Sequence, residues 1–177
     1  MKKSSLVRDV VLSVSLAVYM YLLVKIILMK FGPVDITYLM DRLQANIEDP
    51  GRIMRMLAAT SNLVPLHEIS NGLRGAANLD MHAAANLFGN IALFIPLGMF
   101  IPLLMKRWGN SGGVVILLSF GLSLCFEATQ LLLSIGTFDV DDLILNTLGG
   151  AIGYGVYRLG MYARTNWHKQ HSSLQSS

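Results

Sequence analysis

Glu127 and Gln130 stand three apart in FEATQLL, Asn86 and Asn90 four apart in NLFGNIA, and Asp142 and Asn146 four apart in DDLILN. Each spacing puts its pair on one face of a helix. A carboxylate held in apolar surroundings can have its pKa moved toward the range useful for proton transfer. Glu127 is therefore the candidate general acid or base, with Asp142 as a second carboxylate or, if a cation is present, a metal ligand. Side-chain amides offer both donors and acceptors. Asn86, Asn90, Gln130 and Asn146 are accordingly candidate ligand-binding residues, as is Asp141 through its carboxylate, with Asn90 and Asn146 suited to positioning a substrate.

The turn GTFDVDD, residues 136–142, concentrates three aspartates within four positions. Asp139 or Asp141 would cap the helix that follows and face its positive dipole end. DVDD could also hold a divalent cation through oxygen ligands, but it has neither the spacing nor the length of a calcium loop. His67 and His82, with Asp80 nearby, give a weaker metal signal. No serine elbow, HExxH or phosphate loop is present. No cofactor is expected and no residue is assigned to a metal.

The elements that must position these side chains are apolar. The 177 residues are 53% hydrophobic and only 14% charged, against about 25% charged in soluble domains, and mean hydropathy is +0.52. This is the composition of a membrane chain. One cysteine, Cys125, excludes an intrachain disulfide. The formal charge of +3 forms no basic stripe, so nucleic acid is not an expected partner.

A helix needs about 20 apolar residues to span a bilayer. Four stretches qualify, at about 10–29, 83–105, 114–135 and 143–162, the first interrupted by Lys25. The first is long for a signal peptide and no small-x-small site follows it, so an uncleaved span is expected. Lys2, Lys3 and Arg8 precede the first stretch, Lys106 and Arg107 join the second to the third, and Arg158, Arg164 and Lys169 follow the fourth. An even number of spans places all three groups on one side, which the positive-inside rule makes cytoplasmic. The expected fold class is thus all-α: a single domain, an integral membrane bundle of about four transmembrane helices with cytoplasmic N and C termini. Residues 32–82 form an outer segment. Within it Asp35 and Asp49-Pro50 read as helix starts, giving short amphipathic helices that lie at the membrane surface or pack on the spans. The polar tail, about 166–177, is expected to be disordered.

This orientation puts the polar pairs at one depth. Asn86 and Asn90 fall in the outer half of the second span. Glu127 lies roughly 12 Å below Ile135 on the third, and Asp142 and Asn146 open the fourth. A charged residue at the centre of a span costs about 2.5–3.5 kcal/mol and usually faces the bundle interior or a water-filled cavity. Lys25 could pair with Glu127 or snorkel to the headgroups. Each amide alone could be interhelical glue, whereas all of them at one level beside an acidic turn make a pocket. Gly149 and Gly153 form a small-xxx-small pair, widened by Gly150 and Ala151, on which another helix can pack closely. Pro96 is expected to kink the second span.

NLVP at 62–65, NLFGNIALFIPLG at 86–98, FEATQ at 126–130 and GTFDVDDLILNTLGGAIGYG at 136–155 resemble the VanZ-like family of bacterial membrane proteins. The matching positions are Asn86, Asn90, Pro96, Gly98, Glu127, Gln130, Asp141, Asp142, Asn146 and Gly149. Many relatives carry an arginine shortly before the acidic turn, where this chain has Thr137. The resemblance implies a multi-pass protein of the bacterial cytoplasmic membrane. It also implies low-level resistance to glycopeptide and lipoglycopeptide antibiotics, teicoplanin above all, without naming a reaction.

Three mechanisms follow. An outer-leaflet site could bind the antibiotic's lipid part or a lipid-linked cell-wall precursor, with Arg52, Arg55 and Arg74 attracting a phosphate. The chain could be an intramembrane enzyme that modifies an envelope lipid or polymer through Glu127. It could also be a structural accessory acting on a membrane-protein partner. Membrane lipids are partners in all three.

Overall fold

The computed structural model describes residues 2–28, 35–105 and 111–174. Among these it is all-helical: α1 Lys2–Leu28, α2 Ile36–Glu48, α3 Pro50–Thr60, α4 His67–Ala77, α5 Met81–Leu104, α6 Gly112–Leu132 and α7 Val140–Leu174. There is no strand among the described residues, only an isolated parallel bridge between Asn62 and Asp139. The long helices α1, α5, α6 and α7 make a bundle. The short helices α2–α4 sit at the end where α5 and α7 begin and α6 finishes. Lys106 and Arg107, on which part of the orientation argument rests, lie outside the described residues.

Three helical segments, Leu6–Leu28, Met81–Leu104 and Gly112–Leu132, are long and apolar enough to cross a membrane. On α1, Val10, Val14 and Val18 are all exposed, one per turn, and Leu23 is its buried contact with the core. Such an apolar exterior is matched by lipid rather than water. The fourth predicted stretch is part of α7, whose apolarity is divided by face. Ile144, Leu148, Ile152 and Val156 make an exposed apolar stripe at four-residue spacing, while the opposite face carries glycine and Asn146. α7 is less apolar on average than the other three because it also carries glycines and Asn146 and runs on into the polar residues after Tyr162. The helix also continues to Leu174, so most of the tail expected to be disordered is helical in backbone.

Glycine sets the packing. A Cβ built on Gly149 would lie 2.2 Å from the Ile91 carbonyl oxygen, one on Gly153 would lie 2.0 Å from that of Ile95, and one on Gly98 would lie 2.0 Å from that of Gly150. The backbones of α5 and α7 therefore touch over more than a turn, the close approach that small residues permit. On its other side α7 meets α6, where a Cβ on Gly150 would strike Ser119 Oγ at 2.0 Å. The core beside this crossing contains Phe94, Leu97, Val115 and Phe126, with Leu23 of α1 completing it. Tyr19 of α1 donates its hydroxyl proton to the Leu93 carbonyl at 2.6 Å. That carbonyl can accept from outside its own helix, next to the turn that Pro96 interrupts. α5 itself runs without a break through Pro96 and Pro102, so the expected kink does not end or divide the helix. Packing against α7 holds it together where each proline withholds an N–H.

The short helices are built as their sequences imply. Asp35 caps α2, accepting from the Thr37 N–H at 2.8 Å, and Asp80 caps α5 through His82 and Ala83. Pro50 opens α3, but Asp49 makes no side-chain cap. Its carboxylate takes Arg55 instead, at 2.5 Å. α2 is fastened to the bundle by Asn46, buried, whose Nδ2 donates to the Leu132 carbonyl at 2.7 Å and to Ser134 Oγ at 3.0 Å.

Gly153→Ala should lower stability by about 1–3 kcal/mol by overpacking the α5–α7 crossing. Gly155→Ala, where an added Cβ meets nothing within 4 Å, should be neutral or slightly stabilising through helix propensity. Thermal melts of the two variants in the same detergent check this.

Candidate functional site

The sequence from Ser61 to Leu66 has no regular structure of its own, and Leu66 takes a left-handed backbone, φ 69°. The following helix α4 therefore begins with a leucine where a capping side chain would normally sit. Its first N–H groups are satisfied from another part of the chain. Asp141, fully buried in the first turn of α7, accepts from Leu66 N–H at 2.6 Å, Glu68 N–H at 2.7 Å and Ile69 N–H at 3.2 Å. One carboxylate thus caps a helix more than 70 residues away and meets its positive dipole end. Asp141, a candidate ligand-binding residue by sequence, is committed to holding α4.

Asp139 takes the local capping role, its Oδ1 accepting from Asp141 N–H at 2.8 Å. The same oxygen accepts from Asn62 Nδ2 at 2.9 Å. Asn62 also pairs through its backbone, donating to the Phe138 carbonyl at 2.9 Å and accepting from Val140 N–H at 3.0 Å. The NLVP segment is in this way stitched alongside the acidic turn. Burial pushes the Asp139 carboxyl above the ordinary carboxylate range, and the charges of Asp141 and Glu68 push the same way. The hydrogen bonds from Asp141 N–H and Asn62 oppose them.

The remaining polar residues converge below this turn. Glu127, 2% exposed, accepts from the Asp139 backbone N–H at 2.8 Å through Oε2. Asn90 Nδ2 donates to Asp142 Oδ1. Gln130, buried, donates from Nε2 to the Ile27 carbonyl at 3.0 Å, tying α6 to the end of α1. Asn146 Nδ2 donates to Ser123 Oγ at 2.9 Å, while its Oδ1 has no hydrogen-bond partner.

Two cavities open here. The smaller, about 170 Å³, is lined by Asn86, Asn90, Glu127, Gln130, Asp142 and Asn146, together with Ile26, Ile27, Ala85, Gly89 and Leu93. The larger, about 350 Å³, shares Asn86, Gln130 and Asp142 and adds Thr60, Asn62, Glu68, Asn71, Thr137 and Asp139 among its polar lining. The structure brings together six of the residues singled out by spacing. It leaves the three arginines out. Arg52 and Arg55 belong to α3 and Arg74 to α4, and none lines either cavity. Arg55 is engaged with Asp49 on the surface, and Arg74 is exposed in the last turn of α4, where it faces the dipole's negative end. Lys25 is exposed on α1.

Asn62, Glu68, Asn71 and Thr60 were not selected by spacing. Glu68 and Asn71 stand three apart on α4 but outside the long apolar stretches in which polar pairs stand out, and only the NLVP motif pointed to Asn62. Among the described residues, no group of three His, Cys, Asp or Glu side chains could hold a metal. His67 lies 3.3 Å from Glu68 on the surface, and Asp80 serves as the α5 cap. The arrangement can hydrogen-bond a polar guest from several sides, and two carboxylates, Glu127 and Asp142, border the smaller space.

Asp141→Ala should strip α4 of its cap and destabilise the protein by about 1–3 kcal/mol. Hydrogen exchange should show protection lost first at Leu66, Glu68 and Ile69. Asp139→Asn should raise stability at neutral pH, because the folded state raises the pKa of Asp139 and so disfavours its ionised form. Below both the folded and the unfolded pKa the carboxyl is protonated in either state, so the advantage of the variant should shrink on acidification. Melting curves of both proteins from neutral pH into the ordinary carboxylate range check the sign.

Residues 16–161 match the VanZ/LLP1 family. A curated relative, Protein VanZ of Enterococcus faecium, is 33% identical over 88 residues, a stretch that covers 50% of this chain and 50% of the relative. The chain thus aligns with about half the length of that relative. No solved structure matches it. The matched span runs from the middle of α1 to the apolar end of α7 and contains every residue that lines the two cavities, and on that match the chain belongs to the VanZ/LLP1 family.

Proposed function

We propose that this chain lowers susceptibility to glycopeptide and lipoglycopeptide antibiotics such as teicoplanin, and that it does so by binding. α1, α5, α6 and α7 cross the bacterial cytoplasmic membrane, with both termini on the cytoplasmic side and α2–α4 at the outer surface. The amide and carboxylate cavities then open at the level of the outer leaflet. There they take the polar part of a lipid-linked envelope molecule or of a lipidated antibiotic and reduce the drug's occupancy of its target. The observation that carries this reading is the smaller cavity, where six polar side chains from α5, α6 and α7 face one space at the end of otherwise apolar helices.

The same observation favours a second reading over the accessory role. Glu127 and Asp142 border one small space, an arrangement able to move a proton, so an enzyme altering an envelope lipid or polymer would use Glu127 as general acid or base. Attraction of a phosphate by Arg52, Arg55 and Arg74 has no support in either cavity's lining.

Teicoplanin and vancomycin susceptibility of cells expressing the wild type or Glu127→Gln, at matched membrane abundance, tests both. Glutamine keeps an acceptor for the Asp139 N–H. Binding predicts a partial loss of teicoplanin protection, and catalysis predicts abolition. Full retention overturns any functional role for Glu127, and a wild type that protects against neither drug overturns the resistance reading.

A further inference from the structure

The two cavities share Asn86, Gln130 and Asp142, so they are neighbouring parts of one site. Among the described residues, the ionisable groups lining it are of one kind. Glu68, Asp139 and Asp142 line the larger part and Glu127 and Asp142 the smaller, while no described Lys, Arg or His lines either. Thr137 occupies the wall near the acidic turn, so that turn brings no cation either. A phosphate entering this site would meet carboxylates.

Asn146 supplies an independent observation. It is 5% exposed, it lines the smaller cavity, and its Nδ2 is engaged by Ser123, yet its Oδ1 has no donor. A buried carbonyl oxygen without a donor is a standing penalty that a donor-bearing guest removes. The cavity's 170 Å³ far exceeds the roughly 10–15 Å³ that one water needs, so a group of several heavy atoms can enter.

Resting on the reading that this is the binding site, we propose that the smaller cavity takes a primary ammonium group, with Asn146 Oδ1 and the carboxylates of Glu127 and Asp142 as its acceptors. An ammonium carries three donors and no acceptor. The three acceptors come from α6 and from successive turns of α7, so the guest is met from two helices. Hydrogen bonds to ionised groups are about twice as strong as neutral ones, which gives the site a reason to prefer an amine over an alcohol or an amide of the same shape. The ammonium can belong to a lipid headgroup or to a peptide antibiotic.

The test uses the purified full chain in detergent micelles and two probe pairs: phosphatidylethanolamine against its N-acetyl derivative, and teicoplanin against teicoplanin acetylated on its amines. Lipid retention is read by native mass spectrometry and drug binding by calorimetry. The wild type should bind the free-amine member of at least one pair about tenfold more tightly than its acetylated partner. The pair that shows the preference identifies the source. Asn146→Leu should erase it. Equal binding within both pairs overturns the proposal without reference to any variant, and a preference that survives in folded Asn146→Leu overturns it as well. If the preference is absent while Glu127→Gln still loses teicoplanin protection, the ammonium assignment fails and the proposed function stands. If the preference is present while Glu127→Gln keeps full protection, the ammonium assignment stands and the resistance role of the site fails.

Discussion

Three backbone N–H groups at the start of α4 depend on the carboxylate of Asp141. The carboxylate is fully buried, and without it the first donors of the helix lose the acceptor that caps them, which is costly. Because Asp141 lies in the first turn of α7, this one interaction fixes the short helix over the bundle. It also places Glu68 and Asn71 at the wall of the larger cavity. The parallel pairing of Asn62 with Phe138 and Val140 and the bond from Asn62 to Asp139 reinforce the same junction. The roof of the site is thus held by α7, and the floor by side chains of α5, α6 and α7.

The floor needs a different constraint. For Asn90 to reach Asp142, and for Asn146 to reach Ser123, α7 must lie close between α5 and α6. Gly149, Gly150 and Gly153 allow this, since a methyl group at any of them would collide with a backbone carbonyl of α5 or with Ser119. The polar layer and the glycine layer occupy successive turns of one helix. The first supplies recognition chemistry and the second brings the neighbouring helices near enough to share it.

Much of this was legible in the residues. Polar pairs at helical spacing, placed at matching depths along apolar stretches, identified six side chains that do line one space. The glycine face announced its packing for the same reason: both signals are periodic and local to one helix. What escaped the sequence was non-local. Nothing near Asp141 shows that its carboxylate serves a helix in the 66–69 region, because the tell-tale is an absence, the missing cap at Leu66. Arg52, Arg55 and Arg74 line neither cavity, because a positive charge acts on an anion only where it faces it and the sequence alone does not say where α3 and α4 point. Polarity alone marks the tail as disordered, yet its backbone extends α7 through Leu174. The fourth apolar stretch, within α7, is interrupted by glycines and Asn146 and does not reach the apolarity of the three helical segments long and apolar enough to cross a membrane.

The acidic turn also acts as an indexing device. Asp139, Asp141 and Asp142 leave the start of α7 in three directions, toward the helix's own first turn, α4 and Asn90 respectively. Each residue advances a helix by about 100°. Inserting a single residue between Asp142 and Gly149 would leave the three aspartates in place and swing the glycine face away from α5. Deleting one would swing it the other way. The distance in sequence from the turn to the glycines is therefore a fixed phase rather than a tolerated length. A substitution along this stretch of α7 alters one contact, whereas a change of length shifts the whole glycine face at once.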